Sequence, residues 1–77
     1  MMGRLKPISA KKLIKKLQAL GFVETHRRGS HFYFKKDNKI VTVPVHGNKD
    51  IPIGTLHNII IHQAGLSVDY FNRLTPK

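Results

Sequence analysis

Apolar residues recur first at helical spacing, then at alternate positions, then at helical spacing again. Ser9 is a good N-cap. Behind it Ala10, Leu13, Ile14, Leu17 and Leu20 fall on one arc of a helical wheel, while Lys11, Lys12, Lys15 and Lys16 fall on the other. Gly21 supplies the stop, so the pattern predicts a helix from Ala10 to Leu20. From Phe22 the period becomes two. Phe22 to Arg27 reads as a strand, Arg28-Gly29 as a turn, Ser30 to Lys36 as a second strand, Asp37-Asn38 as a turn and Lys39 to Val43 as a third strand. Pro44 ends that meander, and a polar loop, Val45 to Asp50, leads to Ile51-Pro52-Ile53-Gly54. A second helix follows, with Ile53, Leu56, Ile59, Ile60 and Ala64 as its apolar face and Gly65 as its end. Asp50 or a neighbour is its expected cap, and Pro52 is tolerated in its first turn. Ser67 can begin a further short helical turn.

Both helices must bury an apolar face, which makes the expected architecture α+β: a three-stranded antiparallel sheet with helices packed on one side. The 77 residues suffice for one domain, 1–77, with a single modest core and a shallow site. With no cysteine there are no disulfides, thiolate metal sites or cysteine nucleophiles, and stability must come from packing. The longest apolar run is too short to cross a bilayer, and the N-terminus reads as basic and amphipathic rather than as a signal peptide. The expectation is a soluble cytoplasmic protein without a membrane partner.

Charge sharpens this picture. Fourteen Lys and Arg against four Asp and Glu give +10, and ten of those cations, with Glu24 as the one acid, lie between Met1 and Lys36. The basic half should face a polyanion, for which nucleic acid is the first reading.

Candidate chemistry gathers at the second strand. Alternation puts Phe32 and Phe34 on one face and His31, Tyr33 and Lys35 on the other, so with the phenylalanines under the first helix His31 looks outward. Arg27 and Arg28 precede it by one tight turn. An imidazole can take a proton from a ribose 2′-hydroxyl or give one to a departing 5′-oxygen, and cations can hold the phosphate between them. Tyr33 could stack on a base, and Lys12 and Lys16 on the first helix could grip phosphates. His46, where the chain leaves the sheet, could reach the same phosphate as an auxiliary group.

A metal reading finds little support. His57 and His62 are five apart on the second helix, which in an α-helix points them to different faces, and no acid stands at ligand spacing beside either. His57 lies in the apolar arc and reads as a partly buried packing residue. No carboxylate cluster for magnesium and no glycine-rich phosphate loop occurs, so no cofactor is expected.

The ordered elements Gly29-Ser30-His31, Val41-Thr42-Val43-Pro44-Val45-His46-Gly47, Gly54-Thr55-Leu56 and Gln63-Ala64-Gly65-Leu66-Ser67 resemble those of the HicA family of toxins. The resemblance implies a fold like the double-stranded-RNA-binding domain and a translation-blocking endoribonuclease that cuts mRNA without a metal. It further implies a HicB-type antitoxin that covers the site, and it carries the catalytic histidine of the Gly-Ser-His element over to His31. The family often has Arg or Lys after Gly-Thr-Leu, whereas this chain has His57, so that position is given no RNA contact. Taken with the residues themselves, the resemblance favours attack by a 2′-hydroxyl, yielding a 2′,3′-cyclic phosphate and a 5′-hydroxyl. The alternative is a non-catalytic RNA-binding module of the same architecture.

Overall fold

The computed structural model describes residues 4–74; Met1 to Gly3 of the N-terminal arm lie outside them. Helix α1, Ala10–Ala19, starts where expected: the Ser9 hydroxyl accepts the Lys12 N–H at 3.2 Å, satisfying one of the otherwise unpaired donors of the first turn. It ends on a Schellman closure. Gly21 takes φ +100°, Gly21 N–H donates to Gln18 O and Phe22 N–H to Leu17 O, while the buried side chains of Phe22 and Leu17 clamp the same turn.

Strands β1 (Val23–Arg28), β2 (His31–Lys36) and β3 (Lys39–Pro44) form one antiparallel sheet in the order β1-β2-β3. Both hairpins close through two-residue turns whose first residue has positive φ, Gly29 at 56° and Asp37 at 55°, the arrangement whose twist matches that of the paired strands. Phe34, Val41 and Val43 are fully buried against Ala10, Leu13 and Leu17 of α1 and against the C-terminal helices, so the core lies on one face of the sheet. That is the expected α+β architecture. The segments entering the two helical parts are tied together as well, by an isolated bridge between Ser9 and Asp50 and by Ile51 N–H on Ile8 O at 2.8 Å.

The second helix departs from expectation. It is a short α-helix, α2 (Ile53–His57), that widens into a π-helical segment over Asn58–Gln63. Its N-cap is Pro52 rather than Asp50, with no side-chain cap bond. Leu56, Ile59, Ile60 and Ala64 are buried as expected, but Ile53 is 46% exposed, because it sits at the first turn beyond the edge of the core. Helix α3, Val68–Arg73, is capped by Ser67, whose hydroxyl accepts the Tyr70 N–H at 3.1 Å, and drives Phe71 into the core. No helix among the described residues is long and apolar enough to cross a membrane.

Candidate nucleic-acid interface

The face of the sheet turned away from the helices is set by register. Arg28 pairs with His31 across the first turn, His26 with Tyr33, and Val23 with Lys35; on the other side of β2, Pro44 pairs with His31, Thr42 with Tyr33 and Ile40 with Lys35. His31 is therefore exposed at the end of β2, between Arg28 and Pro44, with Tyr33 and Lys35 following it along one face. The turn that presents it is pinned from behind by Val45 N–H donating to Ser30 O at 2.7 Å. His46, the next residue, is exposed just past that bond, and its carbonyl accepts Lys49 N–H.

Strand β1 contains a bulge. Its register with β2 shifts between Glu24 and His26, leaving Thr25 as the extra residue. Strict alternation from buried Phe22 would turn Glu24 and His26 toward the core side and Arg27 outward. The bulge reverses the second half of the strand. His26 and Arg28 point to the outer face, and Arg27 goes to the inner one, opposite Phe32.

Arg27 is thus not beside His31. Its guanidinium lies 4.0 Å from the Phe32 ring centroid and forms a two-pronged ion pair with Glu24. That hydrogen bond holds the Glu24 carboxyl below the usual glutamate range and raises the arginine further. Since β1 is not covered by a helix, this pair shields Phe32 at the sheet's edge. It also removes the strands' only acid from the outer face, because Glu24 registers with Phe34.

The lysine face of α1 divides. Lys11, Lys12 and Lys15 are exposed, but Lys16 is half-buried: its ammonium donates to Phe71 O at 3.2 Å and lies 4.3 Å over the Phe71 ring, and burial lowers its pKa. Lys16 fastens α3 to α1. Lys12 remains a solvent-facing cation. A groove of about 390 Å³ beside α1, floored by Ile14, Phe32 and Val45 and rimmed by Lys11 and Lys15, opens on the side of Phe32, not on the side of His31.

The other histidines are rearranged by the π-helix. Bonding from i to i+5 widens each turn, so residues five apart approach one face instead of diverging. His57 and His62 meet edge to face with ring centroids 6.2 Å apart. His57, the last residue of α2, is exposed, contrary to its expected packing role. No group of three or more His, Asp or Glu converges as a metal-binding set among the described residues.

His26 and Thr25 are the residues that sequence reasoning missed. The His26 ring stacks on Tyr33 at 4.3 Å with planes 5° apart, and Thr25 Oγ1 lies 3.2 Å from His26 Nδ1 and 3.3 Å from Tyr33 O. The signal available was a histidine two residues before Arg28 in a basic strand, but its face depended on a bulge that alternation does not reveal.

A family model described as the HicA toxin of bacterial toxin-antitoxin matches residues 10–66, well over half of the chain. None of the curated proteins compared with the chain matches it.

Proposed function

This chain belongs to the HicA toxin family, and from that premise we propose that it is a metal-independent endoribonuclease that cuts mRNA and so blocks translation, with His31 as a proton-transfer residue. Family membership makes it a toxin-antitoxin domain and implies an antitoxin partner. The observation that supports the finer reading is the outer sheet face, where exposed His31 stands across from Arg28 on a surface with Lys35 and no strand carboxylate. Phosphate is drawn to such a face, and an imidazole there is within reach of the ribose.

His31 accepts the 2′-hydroxyl proton as the 2′-oxygen attacks the adjacent phosphorus. Arg28 and Lys35 hold the phosphate oxygens and offset the charge that builds on them, which is worth most where donors are already in place. Tyr33 offers a ring to a base, Lys12 a more distant phosphate contact, and His46 an auxiliary contact at the turn. The same face supports a HicB-type antitoxin as its cover: Val23 and Ile40, which flank Lys35 in the register, are 66% and 60% exposed.

The test uses the purified full chain, freed of antitoxin, with RNA in excess chelator. Cleavage is expected to persist and to leave a 2′,3′-cyclic phosphate and a 5′-hydroxyl, while DNA or 2′-O-methyl RNA of the same sequence survives. His31→Ala is expected to keep its fold and lose about 10²- to 10⁴-fold in rate. Undiminished cleavage by that variant, or a 5′-phosphate on the downstream fragment, would remove the mechanism; binding without any cleavage would leave the RNA-binding module.

A further inference from the structure

We infer that His26 is the second catalytic residue of this site, the general acid that protonates the departing 5′-oxygen. This rests on the ribonuclease reading above, and it deepens that reading by supplying the group the reaction lacks. A cleavage that begins by removing one proton from the 2′-oxygen must deliver another to the leaving oxygen, and one imidazole does not occupy both ends of an in-line displacement. Attacking and leaving oxygens lie on opposite sides of one phosphorus. Two proton-transfer groups, each about 3 Å from its own oxygen, must then stand several ångströms apart on one surface.

His26 meets that requirement through the bulge. It shares the outer face with His31 and is its diagonal neighbour across β1 and β2, since Arg28 is directly opposite His31 and His26 lies two residues before Arg28. Diagonal neighbours on an antiparallel pair are roughly 7–8 Å apart. Arg28 adjoins both, directly opposite His31 and two residues along β1 from His26, where a phosphate bridging the two would be neutralised. The other candidates fit less well: Lys35 is two residues beyond Tyr33 from His31, and His46 lies in the loop beyond the ladder.

The hydrogen bonds around His26 also fix which nitrogen does the work. The Tyr33 carbonyl can only accept, so the single hydroxyl proton of Thr25 is directed to it at 3.3 Å. Toward His26 the same oxygen can then only accept, which assigns a proton to Nδ1 at 3.2 Å in both the neutral and the charged ring. Nε2 is left to gain and lose the proton. Stacking on Tyr33 holds the ring plane, and the residue is exposed, so a bound substrate can approach the ring.

The step balances. As the 2′-oxygen bonds to phosphorus, its proton passes to His31; the bond from phosphorus to the 5′-oxygen breaks with its electron pair on oxygen, which takes the proton from His26 Nε2. One proton is removed and one delivered, the products are the cyclic phosphate and the 5′-hydroxyl, and exchange with water restores both rings.

The decisive experiment compares single-turnover cleavage of two RNAs that differ at one atom. One is a natural strand cut by the wild-type protein at a mapped position; in the other the bridging 5′-oxygen at that position is sulfur, a leaving group that needs no proton. His26→Ala is expected to lose about 10²- to 10⁴-fold on the natural strand and to recover to within about tenfold of wild type on the sulfur strand. His31→Ala is expected to stay slow on both. Thr25→Val, which keeps the imidazole and removes its Nδ1 partner, is expected to lose about tenfold on the natural strand and recover on the sulfur strand, and it serves in place of His26→Ala should circular dichroism find that variant unfolded. Near wild-type cleavage of the natural strand by folded His26→Ala, an equal loss on both strands, or a sulfur-rescued loss in His46→Ala instead, overturns the assignment while leaving the ribonuclease reading in place. A wild-type protein that cuts neither strand overturns both.

Discussion

A single inserted residue, Thr25, decides which basic side chains of β1 meet the substrate face. Were Thr25 an ordinary strand residue, alternation from Phe22 would turn Arg27 to the outer face and His26 to the inner one; as a bulge it lets Arg27 cover Phe32 and pair with Glu24. That pair has a pH signature. The Glu24 carboxyl is held below its ordinary value of 4.5 by the hydrogen bond from Arg27. A depressed carboxylate contributes stability that is present above the unfolded value and is lost as pH falls through the folded one. The contribution is small because solvent reaches both side chains and screens the pair. Glu24→Gln is therefore expected to lower the thermal midpoint slightly at pH 7 and by less at pH 2, with sodium chloride shrinking the difference. A deficit of the same size at both pH values would mean that the amide's packing, and not the ion pair, is responsible.

At the level of elements, the π-helical segment is where local pattern and tertiary demand part. Asn58–Gln63 keeps Ile59, Ile60 and Ala64 in the core while bringing Gln63 to the edge of β3, where its side-chain oxygen accepts Thr42 N–H at 2.8 Å. An edge strand offers unpaired N–H groups to other chains, and this amide occupies one of them. Gln63→Leu keeps the size and removes the acceptor, so it is expected to destabilise the fold by about 1 kcal/mol, read as a lower urea midpoint with an unchanged slope. An unchanged midpoint would mean that water serves the half-buried Thr42 N–H equally well.

Over the whole molecule, the helices bury one face of the sheet and leave the other, with Arg28, Lys35, His26 and His31, to solvent. Lys12 and Lys16 of α1, alike in the sequence, belong to different parts of this plan. Lys12→Ala is expected to lower RNA affinity and reduce the slope of log affinity against log salt by about 0.7 if it holds one phosphate of a single strand. Lys16→Ala should leave that slope unchanged and lower stability by about 1 kcal/mol through its lost contacts with the Phe71 ring and carbonyl. Equal slopes for wild type and Lys12→Ala would take α1 out of the interface.

Much of this was legible in the residues because it depends on near neighbours. While the first hairpin turn falls one residue later than the pattern suggested, on Gly29-Ser30, the Ser9 and Ser67 caps, the Gly21 stop, the Asp37-Asn38 turn and the inward Phe34 each follow from local chemistry within one or two turns of chain. So did the outward face of His31, which needs only an unbroken alternation from Phe32 to Phe34. What tertiary structure decided are the places where that periodicity is interrupted: the bulge at Thr25, which exchanges the faces of His26 and Arg27, and the widened helix at Asn58–Gln63, which brings His62 against His57. A period read from sequence assumes constant geometry along an element. Here one extra residue or one wider turn is stabilised by contacts made elsewhere in the fold, with Phe32, Tyr33 and Thr42, and from those points onward the phase of the pattern belongs to the packing.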